Sequence, residues 1–108
     1  METFTMTKSN EGHFTVFEIQ GVLDDHNYRE FQRRIRSSAF TSHVVLDMSG
    51  VERLSSTGLG AVITLLEYAQ EAKRRFYILN PSAIVKIVID SSGLPDLFTI
   101  VKTMDEVV

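Results

Sequence analysis

Cysteine and tryptophan are both missing from this 108-residue chain, and proline occurs only twice. Without thiols there can be no disulfides, thiolate metal sites or cysteine nucleophiles. Positive charge is in deficit: eleven Lys and Arg face fourteen Asp and Glu, a formal charge of −3. That balance gives no electrostatic footprint for nucleic acid. Long apolar runs are missing too. The longest, such as Ala61 to Leu66, fall far short of the ~20 residues that span a bilayer. The opening METFTMTKSN has neither the basic nor the apolar segment of a signal peptide. A cytoplasmic protein without a membrane or nucleic-acid partner is therefore expected. The three histidines, His13, His26 and His43, are too scattered to imply a metal site and read as surface or strand-end residues. No metal, cofactor or catalytic residue is expected.

What is present is an ordinary globular composition, 44% apolar and 9% aromatic, enough for one domain over residues 1–108 with one core. Residues 3–8 alternate as a half-buried strand, 9–12 are turn chemistry, and 13–21 read as a second strand, making an antiparallel hairpin. A helix is expected from about Asp25 to Ser38, capped by Asp24 or Asp25, with the thin apolar stripe Tyr28, Phe31, Ile35 and Ala39. Residues 43–49 hold a continuous apolar run, as in a central parallel strand buried on both faces. A helix follows from about Thr57 to Arg74, then a strand over 75–80. The next helix is expected to take Asn80 as cap, Pro81 in its first turn and Gly93 as its stop. A last strand spans 97–101, and Thr103 with Glu106 has capping-box spacing for a short final helix. The sum is an α/β domain: a mixed sheet of four to five strands, an initial hairpin, three main helices and a short C-terminal one. Right-handed crossovers then place the loops after the central strands along one edge of the sheet.

The loop LSSTGLG, residues 54–60, lies on that edge. It has no Walker lysine, since the nearest, Lys73, is a whole helix away, and it lacks G-x-G-x-x-G. No G-x-S-x-G elbow or neighbouring histidine supports a nucleophile. Ser55, Ser56 or Thr57 can cap the following helix, but a cap needs one such residue. Two glycines near a helix start cost about 1 kcal/mol each against alanine. Close approach by a partner backbone would explain small residues there. Along the helix, Leu59, Val62, Ile63, Leu66 and Ala69 form one apolar stripe, widened by Leu65, Tyr68 and Ala72. Ser56, Gly60, Thr64, Glu67 and Glu71 form a polar strip, which periodicity alone reads as a solvated face.

LDMSGVERLSSTGLGAV (46–62) resembles the signature of STAS-domain proteins, especially bacterial anti-sigma factor antagonists. Asp47, Ser49, Val51, Ser56, Thr57, Gly58, Leu59 and Gly60 match its pattern position by position. GVLDDHN (21–27) is similar to the family's G-x-[LI]-D segment, with Asp24 as the acid. The resemblance implies a STAS fold over nearly the whole chain and a phosphorylation-controlled switch without enzymatic activity. Ser56 is the implied acceptor, with Thr57 as the alternative. Unphosphorylated protein would sequester an anti-sigma factor that is also a serine kinase, promoting sigma-dependent transcription, and a serine phosphatase would reset it. The partner surface implied is Asp24, Ser55, Ser56, Thr57, Gly60, Thr64 and Glu67. One position departs: Ser55 stands where the family's usual acid precedes the phosphorylated serine. That departure keeps open a STAS scaffold or transporter-complex subunit with no phospho-switch.

Other candidates read as structural. Asp47 can bond turn N–H groups. The basic run 33–36 reads as a solvated helix face beside Glu30. Lys73, Arg74 and Arg75 sit where cations favour a helix C-terminus, and residues 90–93 end a helix.

Overall fold

Alternation in the strands divides their side chains between two faces, and that division organises the domain. The computed structural model describes residues 3–94 and 96–107; residues 1, 2, 95 and 108 of the expected 1–108 unit lie outside that range. The elements run β1 (Phe4–Glu11), β2 (Phe14–Leu23), α1 (Tyr28–Thr41), β3 (His43–Leu54), α2 (Ser56–Glu71), β4 (Phe76–Leu79), α3 (Ala83–Ser91) and β5 (Thr99–Val101), closed by a 3₁₀ turn at Met104–Glu106. They build one sheet in the order β1-β2-β3-β4-β5. The β1–β2 hairpin is antiparallel and the remaining pairs are parallel.

Phe17, Ile19, Val44, Leu46, Met48, Phe76 and Ile78 point to one face. There they meet Phe31 and Ile35 of α1, Leu59, Val62 and Leu65 of α2, and Val85 and Ile89 of α3 in the main core. Residues of the other parity, Val16, Val45, Tyr77, Leu79 and Val101, form a smaller cluster with Phe14, Met104 and Val107. All three helices therefore cover one face, and the C-terminal turn covers part of the other. The expected capping box holds this turn: Glu106 Oε2 accepts the backbone N–H of Thr103 at 3.2 Å and that of Lys102.

Local chemistry moves several boundaries from those expected. The helix α1 begins at Tyr28, because Asp24 to Asn27 form a side-chain-locked turn instead of a cap. Asp24 Oδ1 accepts from His26 N–H (2.9 Å), Asn27 Oδ1 accepts from Asp24 N–H (3.0 Å), and Asn27 Nδ2 donates to the Val22 carbonyl (2.7 Å). The strand β3 continues past Ser49 to Leu54. Asp47 Oδ1 binds both the N–H (3.0 Å) and the hydroxyl (2.8 Å) of Ser49, while two register shifts against β2 absorb the irregularity.

At α3 the cap is Ser82, not Asn80, which adopts φ 46°. Ser82 Oγ also donates to the Val51 carbonyl (2.7 Å), tying the helix start to β3. Lys73, Arg74 and Arg75 lie beyond the last turn of α2, with Lys73 itself left-handed at φ 58°. The expected short C-terminal helix is a single 3₁₀ turn.

Candidate functional site

The parallel strands β2 and β3 end side by side at Leu23 and Leu54, paired with each other. Beyond them the Ser55 N–H donates to the Leu23 carbonyl (2.9 Å), so the loop is pinned where the sheet stops. Of the three hydroxyl residues available, Ser55 is the cap of α2: its Oγ accepts the Gly58 N–H at 3.0 Å. The helix consequently starts at Ser56, one residue before the expected Thr57.

With the cap assigned to Ser55, Ser56 is left in the first turn, exposed, and its hydroxyl makes no side-chain hydrogen bond among the described residues. Thr57 is half-buried. A helix N-terminus favours an added negative charge through its unsatisfied N–H groups and macrodipole. The accessible hydroxyl therefore sits where a phosphate is electrostatically tolerated.

The two glycines separate in role. A Cβ on Gly58 would lie 2.7 Å from the Leu23 carbonyl oxygen and 3.0 Å from Leu54 Cδ1, so Gly58 is required by packing within the domain. A Cβ on Gly60 would meet nothing within 4 Å. Internal packing gives no reason for Gly60, and partner approach remains as an explanation only there.

Ser56, Gly60, Glu67 and Glu71 are exposed and Thr64 is half-buried, so the expected polar strip runs along the outer face of α2. Thr64 Oγ1 donates back to the Gly60 carbonyl (3.0 Å). Asp24 and Ser55 line one cleft of about 380 Å³, together with Leu54, Ile84 and Val88. A second, of about 390 Å³, joins Ser55 and Ser56 to Ile87 and Val88. Sequence reasoning missed two groups here. Asp25 hydrogen-bonds the loop, its Oδ1 accepting from Ser55 Oγ at 3.2 Å, while Asp24 lines the same cleft as Ser55. The loop also borders exposed apolar side chains of α3, Ile87 at 58% and Ile84 at 36% exposure. A signal existed for these, since Ala83–Ser91 has more apolar residues than the one stripe, Val85 and Ile89, that it buries.

No three His, Asp or Glu side chains converge as metal ligands among the described residues. No described helix is long and apolar enough to cross a membrane. At the opposite end of the sheet, His43 Nδ1 accepts the Arg75 N–H at 2.8 Å. Burial, followed by Arg74, Arg75 and His13, holds its imidazole below the usual histidine range.

Comparison with known proteins shows the family and the fold. The STAS-domain family model matches residues 5–107. An anti-sigma F factor antagonist of Lysinibacillus sphaericus is 26% identical over 82 residues, covering 73% of this chain and 70% of that protein. The crystal structure of an anti-sigma factor antagonist from Mycobacterium paratuberculosis superposes with a TM-score of 0.84 at 21% identity, covering 96% of this chain and 90% of the other. The Bacillus cell fate determinant SpoIIAA in its phosphorylated form gives a TM-score of 0.71 at 21% identity, over 96% and 95% of the two chains.

Proposed function

The chain belongs to the STAS-domain family, and from that premise we propose that it is an anti-sigma factor antagonist switched by phosphorylation of Ser56. The observation that carries the reading is the division of labour at the start of α2. Ser55 caps the helix by accepting the Gly58 N–H, which leaves Ser56 exposed at the head of a polar strip, its hydroxyl without a side-chain hydrogen bond among the described residues. The Lysinibacillus relative, named for antagonism of an anti-sigma factor, and the fold's likeness to a phosphorylated SpoIIAA support it.

In this reading the unphosphorylated protein, cytoplasmic and without turnover of its own, sequesters an anti-sigma factor that is also its serine kinase. Asp24, Ser55, Ser56, Thr57, Gly60, Thr64 and Glu67 form the contact surface, and a serine phosphatase restores the binding form.

Phosphorylation adds about −1.5 to −2 charges at neutral pH. Within the domain the α2 N-terminus offsets this, typically by 0.3–1 kcal/mol. Against a partner the phosphate must lose hydration, at a cost of several kcal/mol. Each 1.4 kcal/mol is a factor of about ten, so a loss of roughly two decades in affinity is expected. The partner cost wins.

Calorimetric titration of both forms against the cognate anti-sigma factor tests the reading. Phosphorylated protein should melt within a few degrees of the unmodified form yet fail to bind. Equal affinity of the two forms would remove Ser56 as the switch. Ser55 in place of the family's acid favours a second reading, a STAS scaffold or transporter-complex subunit. A chain that stays unmodified with kinase and ATP, and co-purifies with a membrane transporter, would support that one.

A further inference from the structure

The helix α1 carries four arginines and one glutamate. A chain of formal charge −3 thus puts +3 on this one helix and −6 on everything else. Arg29, Arg33 and Arg36, spaced four and three residues apart, lie on one stripe opposite the buried Phe31, Ile35 and Ala39. With Gln32 they border a shallow groove. The sequence alone reads this as a solvated face, but the structure adds how the guanidinium groups are held. Arg29 lies over the Tyr28 ring (5.6 Å to its centroid) and bonds its hydroxyl (3.0 Å). Arg36 lies over Tyr68 of α2 at 5.4 Å. Aromatic faces fix a guanidinium without neutralising it. Among the described residues, Arg33 alone in the stripe meets a carboxylate, that of Glu30, in an exposed pair. Arg34 lies off the stripe, over Phe4 at 5.7 Å.

We propose that Arg29, Arg33 and Arg36 form a docking face for an acidic segment of a protein partner, separate from the Ser56 loop. The helix α1 has no lysine, and the planar fork of arginine suits pairwise recognition of carboxylates. The stripe spans about 10 Å along the helix, matched by carboxylates on roughly two turns of a partner helix. The rest of the chain selects against longer polyanions. A nucleic acid or an anionic membrane would extend past the stripe onto a body of charge −6 and be repelled. A short acidic segment ends within about one Debye length, ~8 Å at physiological salt, and escapes most of that repulsion.

The test is NMR titration of the whole chain with a glutamate-rich, alanine-based helical peptide at physiological salt. Saturable amide shifts centred on α1 are expected, weakening steeply as salt is added. Arg29→Glu/Arg33→Glu/Arg36→Glu should weaken binding by on the order of tenfold or more. The neutral Gln triple should fall between, and Arg34→Glu should stay within about twofold of wild type. All positions are exposed, and unchanged melting of each variant verifies folding. Ser56→Ala should bind the peptide normally, which separates this face from the switch. Absence of α1 shifts, an equal loss in Arg34→Glu, or tighter capture by phosphatidylglycerol vesicles or duplex DNA through the same three arginines would overturn the proposal.

Discussion

Ser55 and Asp25 are separated by thirty residues of chain, yet the serine hydroxyl reaches the aspartate carboxylate at 3.2 Å. The same oxygen accepts from Gly58, so one small side chain joins the α1 entry turn to the start of α2. A carboxylate thus lies beside the loop although position 55 itself has none.

The cap should dominate the energetics of that pair. Ser55→Ala removes it at a cost of about 1 kcal/mol, which lowers Tm by roughly 4–8 °C in a domain of this size. Asp25→Asn alters only an exposed bond and should stay within about 0.5 kcal/mol of wild type. Differential scanning calorimetry decides, and equal losses would mean that Ser55 does not owe its effect to capping.

Phosphate should be found on Ser56. Incubation with the partner kinase and ATP, followed by mass-spectrometric mapping, reads the site directly. Ser55→Asp keeps a good capping side chain and restores the family's acid, so it should change the rate without moving the site. Modification confined to Ser55 or Thr57 would refute the assignment.

The two glycines of the first α2 turns should respond oppositely to alanine. Gly58→Ala must push the helix start away from the Leu23 carbonyl, and overpacking of this kind typically costs 1–3 kcal/mol. Gly60→Ala has open space and gains about 1 kcal/mol of helix propensity. It should melt higher while binding the anti-sigma factor more weakly. A Gly60→Ala variant that is both more stable and fully competent would show that no partner backbone comes close there.

Charge placed on the outer strip should affect the partner and not the fold. Thr64→Arg and Glu67→Arg are expected to lower affinity on the order of tenfold with unaltered circular dichroism. Unchanged calorimetric affinity for both would locate the interface elsewhere.

Element order, the buried stripe of α2 and the C-terminal capping box are legible in the sequence because each depends on neighbours within about one helical turn. The continuation of β3 is not. Ser49-Gly50-Val51-Glu52 has turn composition, and pairing with β2, through its register shifts, together with the Ser82 bond to Val51, keeps it extended. Caps were recognisable as a class, but which serine or aspartate caps depends on contacts between distant segments. Ser55 is selected by Leu23, and Ser82 by Met48 and Val51. The candidate serine was visible from its motif, whereas Asp25 and the apolar α3 border required the assembled sheet edge.

Acid should weaken the far end of the sheet before carboxylates titrate. Folding lowers the pKa of His43, first through burial and then through the nearby charges of Arg74, Arg75 and His13, and its Nδ1 accepts the Arg75 N–H in the folded chain. The unfolded chain, with a histidine pKa near 6.5, then binds the proton more readily than the folded one. The stabilisation is fully present above about pH 6.5 and is lost as pH falls from there towards the folded value. Thermal melts across that window should decline in wild type and less in His43→Gln. Parallel curves would mean that His43 is not the group responsible.

Strand order that follows chain order has a consequence for how the domain comes into being. Each strand pairs only with its immediate predecessor and successor, so no early segment has to wait for a late one to fill a gap in the sheet. Each closure spans at most a single strand-helix unit, and its entropic cost grows only slowly with length. A chain emerging from the ribosome can add one strand-helix unit at a time to an edge already built, with the Ser55 cap formed once β2, β3 and the first turns of α2 have emerged and the cleft beside Ser56 completed by α3.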